Sequence, residues 1–166
     1  MQRRNRGFAR SYAHDMHQEI REATVVDIPA LLELMRPFND GEGIAWDRAR
    51  TQAAVQPLLG ESELGFVLVA AGESPTLRGY VLVTFNYDLE WGGRDAFVTE
   101  LWVVPEARQA GLGRALLRAA EARARASGAL ALHLLVRPEN AAARRLYERE
   151  GFEQVPRVML SKPLAG

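Results

Sequence analysis

The chain has 166 residues, the length of one ordinary domain, and its 48% apolar and 25% charged residues suffice to build a hydrophobic core. It contains no cysteine, which excludes a disulfide framework, a thiolate nucleophile and a cysteine-bound zinc ion. The 21 basic and 21 acidic side chains give a net charge of zero, so the positive excess typical of nucleic-acid-binding proteins is missing. Only three histidines are present, and we therefore predict no metal site.

Signals for a membrane or for export are missing from the sequence. No apolar run reaches the roughly 20 residues that span a bilayer, and residues 1–14 are basic without the apolar core of a secretory signal. We therefore expect no membrane association and a cytoplasmic location. Residues 1–17 are expected to be a disordered leader, an expression remnant or sequence upstream of a start at Met16. Residues 18–166 are expected to form a single domain without repeats or linkers.

Helix and turn signals dominate the first part of the chain. Residues 18–23 predict a short strand, and Asp27 is a candidate N-cap for a helix whose apolar residues recur at helical spacing. A proline, two glycines and polar residues predict a loop over 37–46. A second helix is predicted over 47–59, with Asp47 as its cap.

Strand signals follow, and strands then alternate with helices. The predicted elements are a hairpin of strands 65–71 and 78–86, a turn over 91–95, a long strand 96–104, a helix 111–127, a strand 130–136, a helix from Asn140 to Glu150 and a last strand 157–162. The apolar face of the helix 111–127 is predicted from Leu112, Ala115, Leu116, Ala119, Ala122 and Ala126. The order strand, helix, buried-type strand predicts a right-handed crossover between parallel neighbours.

Residues 108–113, Arg-Gln-Ala-Gly-Leu-Gly, lie between a predicted strand and an amphipathic helix. The start of a helix offers unpaired N–H groups and about half a positive charge, and glycines let an anion approach the backbone closely. The pattern therefore predicts a phosphate site, with Arg108 as an added cation. The chain has no P-loop, and Leu116 stands where a dinucleotide fingerprint needs glycine. A plain loop whose glycines permit a tight turn is the alternative.

Two segments resemble the GNAT family of N-acetyltransferases. Residues 100–116, ELWVVPEARQAGLGRAL, resemble the family's acetyl-CoA-binding core, and residues 140–152, NAAARRLYEREGF, resemble its second segment. The positions of the core motif [R/Q]-x-x-G-x-[G/A] are filled by Arg108, Gly111 and Gly113. Gln109 departs from the glycine that many members have after the arginine, although it still supplies a backbone N–H.

The resemblance implies an α/β fold of the α+β type. Its central sheet is mixed and mostly antiparallel, has helices on both faces, and contains a parallel pair, strands 96–104 and 130–136, that splays apart. Acetyl-CoA is the implied cofactor, with coenzyme A as product, and it enters this gap. Its pantetheine arm would pair with main-chain groups of Leu101, Trp102 and Val103. The other residues implied to contact it are Arg108, Gln109, Ala110, Gly111, Leu112, Gly113, Arg114, Asn140, Ala143 and Tyr147.

Acyl transfer to an amine needs a base, an oxyanion donor and an acid. Glu100 lies within an apolar strand, where burial raises the pKa of a carboxyl group, and we interpret it as the base. A glutamate on a solvent face or paired with an arginine is the alternative. The resemblance implies the Val103 N–H as oxyanion donor and Tyr147 as acid, and a core tyrosine is the alternative. Asn140 is alternatively a simple N-cap, and the pattern favours a core or edge histidine at His133.

The resemblance places the acceptor pocket between the first two helices and the turn before the long strand. The residues implied there are Phe38, Asp40, Glu42, Trp46 and Trp91. Acidic and aromatic side chains suit a cationic amine. Three hypotheses stay open: an N-acetyltransferase that acts on a small primary amine by direct attack in a ternary complex, a protein acetyltransferase for lysine or N-terminal amines, and a catalytically silent acyl-CoA-binding sensor. Homodimers are common in this fold, and no sequence feature decides the oligomeric state.

Overall fold

The computed structural model describes residues 19–60, 62–73 and 76–164, so the predicted leader 1–17 lies outside the described residues. The strands are β1 Ile20–Glu22, β2 Gly65–Ala71, β3 Leu77–Asp88, β4 Gly93–Val103 and β5 Leu132–Leu134. The α-helices are α1 Ile28–Glu42, α2 Arg48–Val55, α3 Leu112–Ala126 and α4 Ala141–Arg149. Short 3-10 turns cover Val25–Asp27, Gln56–Leu58 and Pro105–Ala107.

The five strands form one sheet in the order β1-β2-β3-β4-β5. Each strand pairs antiparallel with its neighbour except β4 and β5, which run parallel and are connected through α3. The β4–β5 pairing is short, since it joins Ala96 to Leu132 and Val98 to Leu134 while β4 continues to Val103. The predicted mixed sheet with one parallel pair is thus confirmed.

Helices cover both faces of the sheet and give it two apolar cores. On one face, α1 and α2 bury side chains such as Leu31 and Met35 against Val67 and Tyr80. The core on the other face consists of α3 leucines packed against the opposite side of β2, β3 and β4, including Val83. Because side chains alternate along a strand, each β4 side chain points either to the α1 side or to the α3 side of the sheet. Only β4 side chains on the same side of the sheet can contribute to the same site.

The predicted loop over 37–46 is confirmed for residues 43–46 and wrong for residues 37–42, because α1 continues through Pro37 to Glu42. Proline removes one helical hydrogen bond, but α1 is anchored by apolar residues buried before it. The buried Asn39 side chain also donates to the Met35 carbonyl at 2.8 Å and supports this turn. The helix ends where Gly43 takes a left-handed φ of 69°, so the acceptor residues predicted in a loop begin on a helix.

Helix α3 is rotated relative to the predicted apolar face. Its buried residues are Leu112, Leu116, Leu117, Ala120 and Ala124. The predicted face residues Ala115, Ala122 and Ala126 are exposed. Leucines remove far more apolar surface from water than alanines, so they decide which side of the helix packs on the sheet.

The last two predicted strands differ from the structure. The strand predicted over 130–136 is reduced to Leu132–Leu134, because pairing with β4 stops there. Residues 157–162 form no strand within the described part of the chain, and their apolar side chains, including Val158 and Leu160, are exposed. Arg157 instead makes a two-bond ion pair with Glu90, at 2.7 and 3.0 Å.

Candidate active site

The edge of β4 that faces β5 opens beyond Val98. Within the described residues, β5 has no ladder partner beyond Leu134, whereas β4 continues for another five residues to Val103. A parallel pair that separates in this way leaves main-chain donors and acceptors of β4 without a strand partner. This edge can therefore hold an extended ligand in the manner of an added strand.

The main-chain groups of Val103 point into this gap. The Val104 N–H donates to the Arg78 carbonyl at 3.0 Å, and Val103 lies opposite Gly79. In an antiparallel ladder this bond identifies Val103 and Gly79 as a non-hydrogen-bonded pair, whose own N–H and C=O groups face away from each other. The same alternation turns Leu101 towards the gap and directs the main chain of Trp102 towards β3.

The start of α3 offers a set of unpaired amides. The first bond of the helix runs from the Ala115 N–H to the Gly111 carbonyl at 3.0 Å, so the amides of residues 112–114 have no acceptor within the helix. Gly111 has a left-handed φ of 83°, and a Cβ built there would meet nothing within 4 Å. Gln109 also adopts a left-handed φ, at 62°. The amides therefore border open space at the positive end of the helix dipole.

Arg108 ties this helix start to the end of β4. Its Nε–H donates to the Val103 carbonyl at 3.0 Å, and its guanidinium lies 4.5 Å from the centre of the Trp102 ring. The contact occupies the Val103 carbonyl and leaves the Val103 N–H as the group directed into the gap. Arg114, by contrast, donates to Glu150 at 2.6 Å, together with Arg118.

Glu100 is half-buried and hydrogen-bonded to a tyrosine. The Tyr80 hydroxyl, which is fully buried, donates to Glu100 Oε2 at 2.6 Å. Burial raises the pKa of Glu100 above its ordinary value, and the Tyr80 hydrogen bond opposes this rise. The pKa of Tyr80 is raised by burial, by the Glu100 charge and by the same hydrogen bond. Within the described residues no arginine pairs with Glu100.

Tyr147 lies on α4, which begins at Asn140. The Asn140 side chain caps this helix by accepting from the Ala143 N–H at 3.2 Å. Tyr147 packs against the α3-side core and contacts the Phe152 ring edge-on, with centroids 5.8 Å apart. Burial, and then the charge of Glu42, raise the pKa of Tyr147. Its hydroxyl therefore keeps its proton at neutral pH and is available as a proton or hydrogen-bond donor.

The predicted acceptor residues divide into two groups: four lie on α1 or in the loop after it, and Trp91 lies apart from them. Phe38 contacts the Trp102 ring edge-on at 6.4 Å, and Trp46 packs on the α1-side core. Glu42 pairs with Arg137, which lies at 3.0 Å from its carboxylate and also donates to its carbonyl. Asp40 is exposed at the end of α1. Trp91 lies at the opposite end of β4, next to His133.

The sequence analysis did not identify three residues that contact predicted site residues or lie beside them: Tyr80, Arg137 and Asp95. A buried tyrosine needs a partner for its hydroxyl, so the position of Tyr80 within an apolar strand is a usable signal. No local signal marks Arg137, because its partner Glu42 is 95 residues away in the chain. Asp95 belongs to a predicted turn, whereas it lies inside β4 and is 4% exposed.

An opened parallel pair beside an uncapped helix start can hold a ligand that joins an extended arm to an anionic group, as an acyl-CoA does. The family model described as "Acetyltransferase (GNAT) family" matches residues 28–152. The chain belongs to this family and is an acyl-CoA-dependent acetyltransferase.

Individual relatives agree with this assignment. The chain is 30% identical over 135 residues to the uncharacterized N-acetyltransferase YhfO of Bacillus subtilis, covering 81% of this chain and 89% of that protein. It is 29% identical over 145 residues to the thialysine N-epsilon-acetyltransferase of Bos taurus, covering 82% and 84%. The integron cassette protein HFX_CASS3 from the mobile metagenome of Cole Harbour Salt Marsh superposes with a TM-score of 0.77 at 31% identity, covering 89% and 91%.

Two absences hold for the described residues. None of their helices combines the length and the apolar character needed to pass through a bilayer. The described residues also contain no group of three or more histidine and carboxylate side chains that could hold a metal ion.

Proposed function

We propose that this protein transfers the acetyl group of acetyl-CoA to a primary amine, and that the acceptor is a small cationic amine. The observation that carries the proposal is that three kinds of group occur together at the C-terminal end of β4 and directly after it. They are the Val103 N–H, the unpaired amides at the start of α3, and the half-buried Glu100 carboxylate. No other part of the described chain combines anion-binding amides with a carboxylate of raised pKa.

The residues present fit an acyl-CoA. A diphosphate is bound by converging N–H donors at a positive helix end, and the unpaired amides of residues 112–114 follow Gly111, where a Cβ would meet nothing within 4 Å. Arg108 contributes a cation, and Asn140 and Ala143 lie at the start of α4. An extended amide-bearing arm needs strand-like partners, which Leu101 and Val103 offer.

The reaction then divides among three residues. Bound acetyl-CoA supplies a thioester that the amine nitrogen attacks, so that a C–N bond forms and the C–S bond breaks. Glu100 takes the ammonium proton, directly or through a water, because its raised pKa suits it to this transfer. The Val103 N–H donates to the thioester oxygen as that oxygen gains charge. Tyr147 gives its proton to the departing sulfur and regains one from the second proton that the nitrogen loses as the amide forms.

The nature of the acceptor rests on side chains of α1 and β4. Phe38 and Trp102 form an aromatic corner, and Asp40 is an exposed carboxylate at the end of α1, whereas Glu42 is paired with Arg137. Aromatic faces and carboxylates attract an ammonium group. The bovine relative is named as a thialysine N-epsilon-acetyltransferase, which supports a small-molecule amine as acceptor.

The test is release of free coenzyme A thiol from acetyl-CoA, measured with small amines, lysine peptides and aminoglycosides. We expect acceleration with small amines and a loss of that acceleration in Glu100→Gln. Acceleration with peptides alone would identify a protein acetyltransferase instead. Calorimetric binding of coenzyme A without turnover on any acceptor would identify a sensor. Folded protein that does not bind coenzyme A would overturn the proposal.

A further inference from the structure

Glu150 joins the end of α4 to the first turns of α3. Its carboxylate accepts from Arg114 Nε through one oxygen and from Arg118 Nε through the other, both at 2.6 Å. The Glu150 side chain is only 6% exposed, whereas the two arginine side chains are 55% and 59% exposed. One shielded carboxylate therefore holds two guanidinium groups that remain accessible to solvent.

Local electrostatics disfavour two of these charges at their positions. Glu150 is the C-cap of α4, at the negative end of that helix dipole, and Arg114 is the third residue of α3, near the positive end of its helix. The hydrogen bond from Arg118, and then that from Arg114, lowers the pKa of Glu150, so its carboxylate is ionised at neutral pH. Charges that oppose local preference are expected at functional sites, and this cluster therefore needs a functional explanation.

Most of the donor capacity of the two arginines is unused. Each guanidinium bonds to Glu150 through its Nε–H, which leaves the N–H groups of its two terminal nitrogens. Among the described residues, no other acceptor bonds to either guanidinium. Arg114 and Arg118 are one turn apart on the same helix face, with about 5–6 Å between their Cβ atoms. Two cations and one carboxylate leave a net positive charge, which favours an anion with several acceptor oxygens.

The two arginines lie beside the amides that the proposed function assigns to the diphosphate. Arg114 belongs to the unpaired amides of residues 112–114, and a Cβ built on Gly113 would lie 3.6 Å from Leu146 of α4. Helix α4 thus packs against the start of α3, and Glu150 follows Leu146 by one turn. In coenzyme A, the ribose that carries the 5′-diphosphate also carries a 3′-phosphate. A site for this group has to adjoin the diphosphate amides, as the two arginines do.

We propose that Arg114 and Arg118, both bonded to Glu150, bind the 3′-phosphate of coenzyme A. A phosphate monoester carries close to two negative charges at neutral pH, and its oxygens suit the forked donors of two guanidinium groups. Dephospho-coenzyme A, which lacks this group, is then the poorer ligand. This inference rests on the proposed function and adds to it a discrimination between two forms of the cofactor.

The test compares calorimetric affinities for coenzyme A and dephospho-coenzyme A in the unmodified protein and in two variants. Arg118→Gln removes one of the two cations. Arg125→Gln is the matched control, because it removes a cation from the same helix, where Arg125 pairs with Glu121 and is 76% exposed. We expect the unmodified protein and Arg125→Gln to prefer coenzyme A about tenfold. Arg118→Gln should lose most of this preference and should bind dephospho-coenzyme A as tightly as the unmodified protein, which also shows that the variant is folded.

Turnover provides a second readout of the same site. With acetyl-dephospho-coenzyme A as donor, the unmodified protein should show a KM about tenfold higher than with acetyl-CoA and a similar kcat, because the 3′-phosphate takes no part in the chemical step. Arg118→Gln should show similar KM values for the two donors.

Three results would overturn this site. Equal affinity of the unmodified protein for both ligands, or equal weakening of both ligands in Arg118→Gln, would show that Arg118 only links α3 to α4 through Glu150. The same loss of preference in Arg125→Gln would mean that general positive charge, rather than a site, selects coenzyme A. Each of these results leaves the proposed function standing, because coenzyme A still binds, whereas folded protein that binds neither ligand would contradict the proposed function itself.

Discussion

The two ends of β4 contribute to the site in different ways. At the C-terminal end, the groups available to a ligand belong mainly to the main chain: the Val103 N–H and the amides at the start of α3. At the N-terminal end, side chains cluster instead: Asp95, His133 and Trp91. Glu100 lies between the two ends, on the same strand.

The difference between the two ends separates cofactor binding, which many proteins can share, from acceptor choice, which can differ between them. Main-chain donors are available to any sequence that adopts this backbone, so the C-terminal end of β4 can be shared by all proteins that bind the same cofactor. Side chains can change without a change of fold, so the N-terminal end can differ between proteins with different acceptors. Variants at the two ends, and at the residues between them, should therefore produce different kinetic signatures.

Glu100→Gln should have the largest effect. Removing the proton acceptor should lower kcat about 100- to 1000-fold at neutral pH, with unchanged affinity for coenzyme A. As pH rises, more of the amine is already deprotonated, so the variant should recover part of its activity. Steady-state kinetics across pH would check this. A pH profile identical to that of the unmodified protein would mean that water or another group acts as the base.

Tyr147→Phe should lower kcat about 100-fold, because the departing thiolate loses its proton donor. Phenylalanine keeps the packing against Phe152 and the α3-side core, so coenzyme A binding and thermal stability should be retained. Kinetics with an acyl donor whose thiol is more acidic would sharpen the result, since a better leaving group needs less help. Undiminished turnover with acetyl-CoA would remove Tyr147 from the mechanism.

Gly111→Ala tests the main-chain groups at the C-terminal end of β4 and the start of α3. Gly128, at the far end of α3, has nearly the same left-handed φ, 81° against 83°, and a Cβ at that position would also have no neighbour within 4 Å. Each alanine variant should lose about 1 kcal/mol of unfolding free energy from backbone strain. Only Gly111→Ala should also weaken coenzyme A binding, by about tenfold, because its methyl group enters the anion space. Equal affinities in both variants would place the diphosphate elsewhere.

Tyr80→Phe should have the smallest effect, a shift in pH dependence. Burial raises the pKa of Glu100, and the Tyr80 hydrogen bond holds it partly down, so the variant should raise this pKa further. The base acts in its ionised form, and activity is lost as pH falls through its pKa. The acid side of the kcat profile should therefore move to higher pH, with full turnover restored in alkaline buffer. A shift to lower pH would contradict this account of Glu100.

Sequence alone determined the parts of this protein that depend on short-range pattern. The spacing of Arg108, Gly111 and Gly113 marked the helix start, and alternation placed Glu100 in a strand, because these features need only neighbouring residues. The mixed sheet with one parallel pair was also predictable, since strand and helix order limits the topology.

Only the tertiary structure decided which side chains meet. Tyr80 reaches Glu100 across 20 residues and Arg137 reaches Glu42 across 95, and no local pattern encodes such pairs. Burial likewise overrode local preference where α1 continued through Pro37 and where leucines set the rotation of α3. The pairing of Asp95 with His133 has the same origin: two strands distant in sequence become neighbours only after the sheet has formed, because long-range contacts are selected by packing of the whole chain.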